Sequence, residues 1–185
     1  MRTLSTLFIA AVVASPLAAQ GNPVSTAVQR MGRGHAKNLL AAAQAMPADK
    51  YNFKPTPAQM TFGEVIAHIA DDNGITCGAI GGKKLDAPKV SGTDGKDKLV
   101  AALQASLTFC NAALAGLADA KLGETVSWYG SSTTRAMAAV GLIDDWSDHY
   151  AMQAIYLRLN GVLPPSAQQG MERQGSGSRC QGLSP

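Results

Sequence analysis

The chain has 185 residues, 46% of them hydrophobic and 16% charged, with a formal net charge of +3 at neutral pH. That length and apolar content suffice for one domain with a sizeable core. The lysines and arginines are scattered rather than striped along a helix, which excludes a nucleic-acid footprint, and three cysteines, Cys77, Cys110 and Cys180, are too few and too far apart for a structural zinc cluster.

The first twenty residues, MRTLSTLFIAAVVASPLAAQ, carry a basic Arg2, an apolar run from Leu7 to Ala14, a break at Pro16 and small residues at Ala18 and Ala19. This layout predicts a signal peptide over 1–20, cleaved near Ala19 or Gln20. The apolar run is short of the ~20 residues that span a bilayer. The expectation is a mature protein that is periplasmic or secreted and free of the membrane once cleaved. An oxidising compartment favours one disulfide and leaves one cysteine over.

Four amphipathic segments follow, with Gly and Pro punctuation, no internal repeat and no convincing strand. The first helix is expected from Val24 to Met46, ending at Pro47; its alanine-rich AKNLLAAAQAM has strong helix propensity. In the next stretch Pro55 and Pro57 forbid a helix, and Tyr51 and Phe53 are expected to pack down as a lid. Thr61 opens the second helix with Glu64 three residues on, a capping box, and the helix runs to about Ile80. The loop GGKKLDAPKVSGTDG is rich in helix-stopping residues. A third helix is expected from Asp94 or Gly95 to Leu117. The fourth starts at the Ser131 to Thr134 cluster, whose hydroxyls can cap it, and ends at Asn160-Gly161. These make an all-α four-helix bundle over 21–165. Residues 166–185, almost without apolar side chains, read as a flexible, disordered tail.

Two helix stripes carry ionisable groups where apolar ones are expected. On the fourth helix Leu142, Asp145, His149, Met152, Tyr156 and Leu159 share one face; on the second, Val65, His68, Asp72, Ile75 and Ala79 do. Buried imidazoles and carboxylates need partners. An antiparallel pairing of these two helices brings His68, Asp145 and His149 to similar depths.

The segment MPADKYNFKPTPAQMTFGEVIAHIADDN, followed much later by DHYAMQAIYLRLNGVLPP, resembles the DinB superfamily of four-helix bundles over the whole mature domain except the tail. The resemblance implies an up-down-down-up helix order and a divalent transition metal (zinc, nickel, iron or manganese) held between the second and fourth helices by His68, Asp145 and His149. Asp145 stands where that family has the first His of an HxxxH pair, and Tyr150, Ala151 and Met152 stand where many members have Arg, Gly and Gln. Two His and one carboxylate still form a usable ligand triad. Asp148 or Asp72 is then the candidate general base, and Asp71 or Gln153 a candidate second layer. The plain alternative is an interhelical hydrogen-bond cluster with no metal.

The resemblance also implies thiol-dependent transferases and isomerases or hydrolases as the range of activities, and pairing of bundles into a homodimer. Export disfavours thiol-dependent chemistry and leaves a metal-dependent, hydrolase-like enzyme acting on an unknown small molecule. The contrasting reading is a non-catalytic exported bundle that binds a small ligand or a protein, its metal site lost.

His35, beside Arg33 and Lys37, reads as part of a polar face. Trp128 and Tyr129 are candidates for the mouth of a pocket or for packing caps. Cys77 and Cys110 lie at matching depths in their helices, so a parallel second and third helix brings the sulfurs level; the bridge is expected, with Cys180 free, against the alternative of two buried thiols.

Overall fold

The computed structural model describes residues 21–171. The expected signal peptide and most of the expected tail therefore lie outside the described residues. The chain is mostly helical: α1 (Pro23–Ala45), α2 (Phe62–Gly81), α3 (Lys96–Ala115) and α4 (Arg135–Leu159), with two short 3-10 turns at Ala48–Lys50 and Asp119–Lys121 and a hairpin of β1 (Thr125–Trp128) and β2 (Ser131–Thr134).

Local chemistry sets the helix limits. Pro23 occupies the first turn of α1, where its missing N–H costs nothing. The Asp119 carboxylate accepts from the Val24 and Ser25 amides at 3.1 and 2.7 Å, while the Asp119 amide donates to Asn22 Oδ1 at 2.8 Å. A carboxylate there also answers the positive end of the helix dipole, and the hydrogen bonds from Ser25 hold its pKa below the usual range. α2 opens on the expected capping box: the Glu64 amide donates to Thr61 Oγ1 and the Thr61 amide to Glu64 Oε2. α4 opens on Thr134, whose hydroxyl accepts from the Met137 amide.

The running directions follow from paired contacts. Asn73 meets Ser106 and Cys77 is bridged to Cys110, so α2 and α3 are parallel neighbours. Arg135 donates to the Ile80 carbonyl, Trp146 to Asn73 and Tyr156 to the Met60 carbonyl, so α4 runs antiparallel to α2. Lys96 reaches the Gln44 and Met46 carbonyls while Gln29 reaches those of Leu114 and Leu117, so α1 is antiparallel to α3. The Cα atoms of Cys77 and Cys110 are 5.0 Å apart, and the bridge stands as expected from helix depth.

Parallel neighbours require the connection between them to travel back along the helices. Residues 82–94 do this as a strap, leaving α2 through Gly82 in the left-handed region (φ 66°) and crossing its first turn where Gly92 meets Gly63. A Cβ on Gly63 would stand 2.3 Å from the Gly92 carbonyl oxygen, so backbone lies on backbone here.

Phe62, Ile66, Ile69, Leu99, Leu103, Leu142, Trp146 and Leu157 are buried between the helices. Tyr51 and Phe53 cover one end as expected, Tyr51 donating to the Ala43 carbonyl at 2.7 Å and stacking edge-on with Phe62. α3 is long and apolar enough to cross a membrane by length and composition; here its Leu99, Leu103, Leu107 and Leu114 are buried in the core.

Two expectations need correction. The stretch read as free of strands holds the β1–β2 hairpin, and of the hydroxyl cluster Ser131 to Thr134 only Thr134 caps α4, the others pairing with β1. Tyr129 and Gly130 both have positive φ, 47° and 77°, the signature of the two-residue turn whose twist suits a hairpin. Secondly, residues 165–171, placed in the flexible tail apart from Pro165, are helical, with Pro164 and Pro165 buried, Ser166 donating its amide to the Tyr150 hydroxyl and Gln169 reaching Asn38.

A candidate site of facing His–Asp pairs

The antiparallel contact of α2 and α4 sets His68 against His149, their ring centres 5.0 Å apart and the planes tilted by 48°. Each imidazole is bonded to the aspartate one turn away on its own helix. His68 Nε2 lies 3.1 Å from Asp72 Oδ2, and His149 Nδ1 lies 3.2 Å from Asp145 Oδ1 and 2.8 Å from the Asp145 carbonyl oxygen. His149 is buried, whereas His68, Asp72 and Asp145 are half-buried at the edge of the helix pair.

The electrostatics follow from this partial burial. The hydrogen bond with Asp145 raises the His149 pKa, outweighing the burial that lowers it. Burial raises the Asp72 carboxyl, opposed by the His68 charge and a hydrogen bond from Tyr129, and assisted by the Asp145 charge. Burial likewise raises the Tyr129 phenol, which faces Asp72 and Thr76.

The hairpin covers this region. Trp128 donates its indole N–H to Thr76 Oγ1 at 3.0 Å and lays its ring on Gly141, where a Cβ would stand 2.6 Å from the indole. Tyr129, more than half exposed, extends from the turn beside it. Of the two readings of this aromatic pair, Trp128 follows the packing cap, while Tyr129 is exposed beside Asp72.

Beneath the pairs lies a network that the sequence did not disclose. Asn73, fully buried, accepts from Trp146 Nε1 at 2.7 Å and donates to Ser106 Oγ at 2.9 Å. Gln153, the other candidate for the second layer, lies one turn beyond His149 and is also fully buried, neither amide atom being hydrogen-bonded among the described residues.

The structure thus brings together His68, Asp72, Asp145 and His149. Asp148 is exposed on α4 and reaches His149 only through its charge. Asp71 is exposed and lies 3.9 Å from Lys89. His35, half-buried on α1, takes no part, and burial lowers its pKa. The donor chemistry suits a divalent metal, but among the described residues no three His, Cys, Asp or Glu side chains are arranged to hold one. Asp145, expected as the third ligand, is turned onto His149 Nδ1 instead. As placed, the residues do not fit the implied metal.

Residues 33–151 match the DinB superfamily, and the chain belongs to that family. Its fold is that of a DinB-like protein from Bacillus cereus ATCC 10987, with a TM-score of 0.65 at 14% identity, covering 76% of this chain and 95% of that one. A DinB-like protein from Bacillus subtilis, YjoA, superposes with a TM-score of 0.60 at 16% identity, covering 73% of this chain and 92% of that one. A conserved protein from Enterococcus faecalis gives 0.54 at 18% identity, covering 73% and 95%. No curated protein matches the chain.

Proposed function

We propose that the protein is an exported DinB-type four-helix bundle, up-down-down-up, that binds a small polar molecule at the facing His–Asp pairs and exchanges a proton with it through His149. The observation that carries this reading is the hydrogen bonding of His149 Nδ1, which donates to the Asp145 oxygens, fixes the ring and leaves Nε2 as its reactive nitrogen. Asp72, with its raised pKa, is the second proton carrier, placed next to His68. The Cys77–Cys110 bridge supports a periplasmic or secreted location, as does the signal-like composition of residues 1–20. Met137, Val140, Ile155 and Leu159, all more than half exposed along α4, support pairing of two copies.

A second reading, a metal-dependent, hydrolase-like enzyme, is favoured by one observation: two imidazoles from different helices converge at 5.0 Å. It requires Asp145 to leave His149.

Metal analysis of the protein purified from its export compartment separates the two. The proton-exchange reading expects no stoichiometric metal, a melting temperature unmoved by chelator, and a His149 imidazole that titrates in metal-free buffer. About one zinc, nickel, iron or manganese per chain, lost together with thermal stability in His149→Asn, would overturn it in favour of the metal enzyme.

A further inference from the structure

A cleft of about 620 Å³ lies between α2 and the strap, within the range of ligand pockets. Its floor is made of small residues, Ala67, Ala70 and Gly74 on α2 and Ala102 on α3, and its roof of Leu85, Pro88 and Val90. The strap runs back along α2. Gly82 bonds to Gly78, Leu85 lies over Gly74 and Lys89 approaches Asp71.

This order puts Lys84 at one end of the cleft and His68 at the other, with α2 from His68 to Ile75 spanning roughly 10 Å between them. Lys89 is loosely paired with Asp71, while Lys84 forms no ion pair among the described residues. The recess is therefore a cleft of mixed lining, with small and apolar side chains along its middle, the Lys89–Asp71 pair on its flank, one exposed, unmatched ammonium at one end and an imidazole at the other. A single ammonium is a point-charge partner for a carboxylate head.

We propose that this cleft binds a small linear carboxylate, its head on Lys84 and its apolar body lying over Gly74 and the alanine floor toward His68. The cleft borders the His–Asp cluster and shares His68 with it, but the proposal goes beyond the ligand-binding reading given above: the charged head is held at Lys84, away from His149, and no proton exchange is asked of this ligand.

Calorimetric titration of the mature protein with octanoate, octan-1-ol and octylamine tests it. One octanoate per chain is expected, bound about fivefold more tightly than octan-1-ol, the most that an exposed ion pair supplies, with octylamine weakest. Lys84→Met should abolish the preference for octanoate and leave octan-1-ol binding unchanged. Ala102→Phe, which fills the floor, should weaken all three; Val90→Trp closes the cleft from the roof if the first variant melts early. Octanoate should also shift the His68 imidazole resonances. Equal binding of octanoate and octan-1-ol, or a preference that survives Lys84→Met, overturns the proposal. Octanoate affinity in His149→Asn is expected within about twofold of wild type, so loss of proton exchange at His149 is distinguishable from failure of the cleft.

Discussion

Removing the Cys77–Cys110 bridge should lower stability by an amount that the chain itself sets. The two cysteines are 33 residues apart, and a cross-link closing a loop of that size removes denatured-state entropy worth about 3.7 kcal/mol at 25 °C. Both sulfurs are fully buried, so the double variant Cys77→Ala/Cys110→Ala avoids a half-reduced bridge at the cost of two small voids, which add to the loss rather than offset it. For a domain of this size the melting temperature should fall by about 7–15 °C. Circular dichroism melts of both proteins, with and without a phosphine reductant, measure it. Reductant should leave the double variant unmoved and bring wild type toward it. A drop below about 2 °C in the double variant would refute the reasoning, because the loop-closure argument allows no such small effect.

His149 titrates from a raised pKa, so its contribution to stability is complete below the unfolded value of 6.5 and is lost as pH rises through the folded one. The melting-temperature advantage of wild type over His149→Asn should accordingly shrink as pH climbs above about 6.5, and Asp145→Asn should abolish that dependence. Asn73→Leu should cost about 3 kcal/mol by leaving the Trp146 N–H buried without an acceptor. The same variant should change Trp146 fluorescence at temperatures where it remains folded.

The helices were legible because their limits are local. Thr61 with Glu64, Pro47 and Asn160-Gly161 act within a few residues, and the matching depths of Cys77 and Cys110 in two such helices tied a parallel course to the bridge that the structure shows. The hairpin was hidden by Tyr129, a residue that rarely takes φ 47°, in front of a glycine that does so freely. The juxtaposition of His68, Asp72, Asp145 and His149 was legible, since stripe periodicity places all four toward the contact of α2 and α4. Their pairing was not: a spacing of four serves a bond within one helix as well as a shared role across two. Asn73 could not be read at all, because its partners lie 33 and 73 residues away in sequence.

The strap also determines how the molecule responds to being cut. Residues 83–90 make no backbone-to-backbone hydrogen bond among the described residues, and Lys83, Lys84 and Lys89 are exposed there, so trypsin meets its preferred residues on a segment that can adapt to its active site. Cleavage separates α1 and α2 from α3 and α4 in sequence, yet Cys77 lies on one side of the cut and Cys110 on the other. The nicked protein should run as a single species on a denaturing gel without reductant and as two fragments with it. The four helices can thus persist as a two-chain protein, and the strap is the natural point at which to open the sequence for a circular permutant.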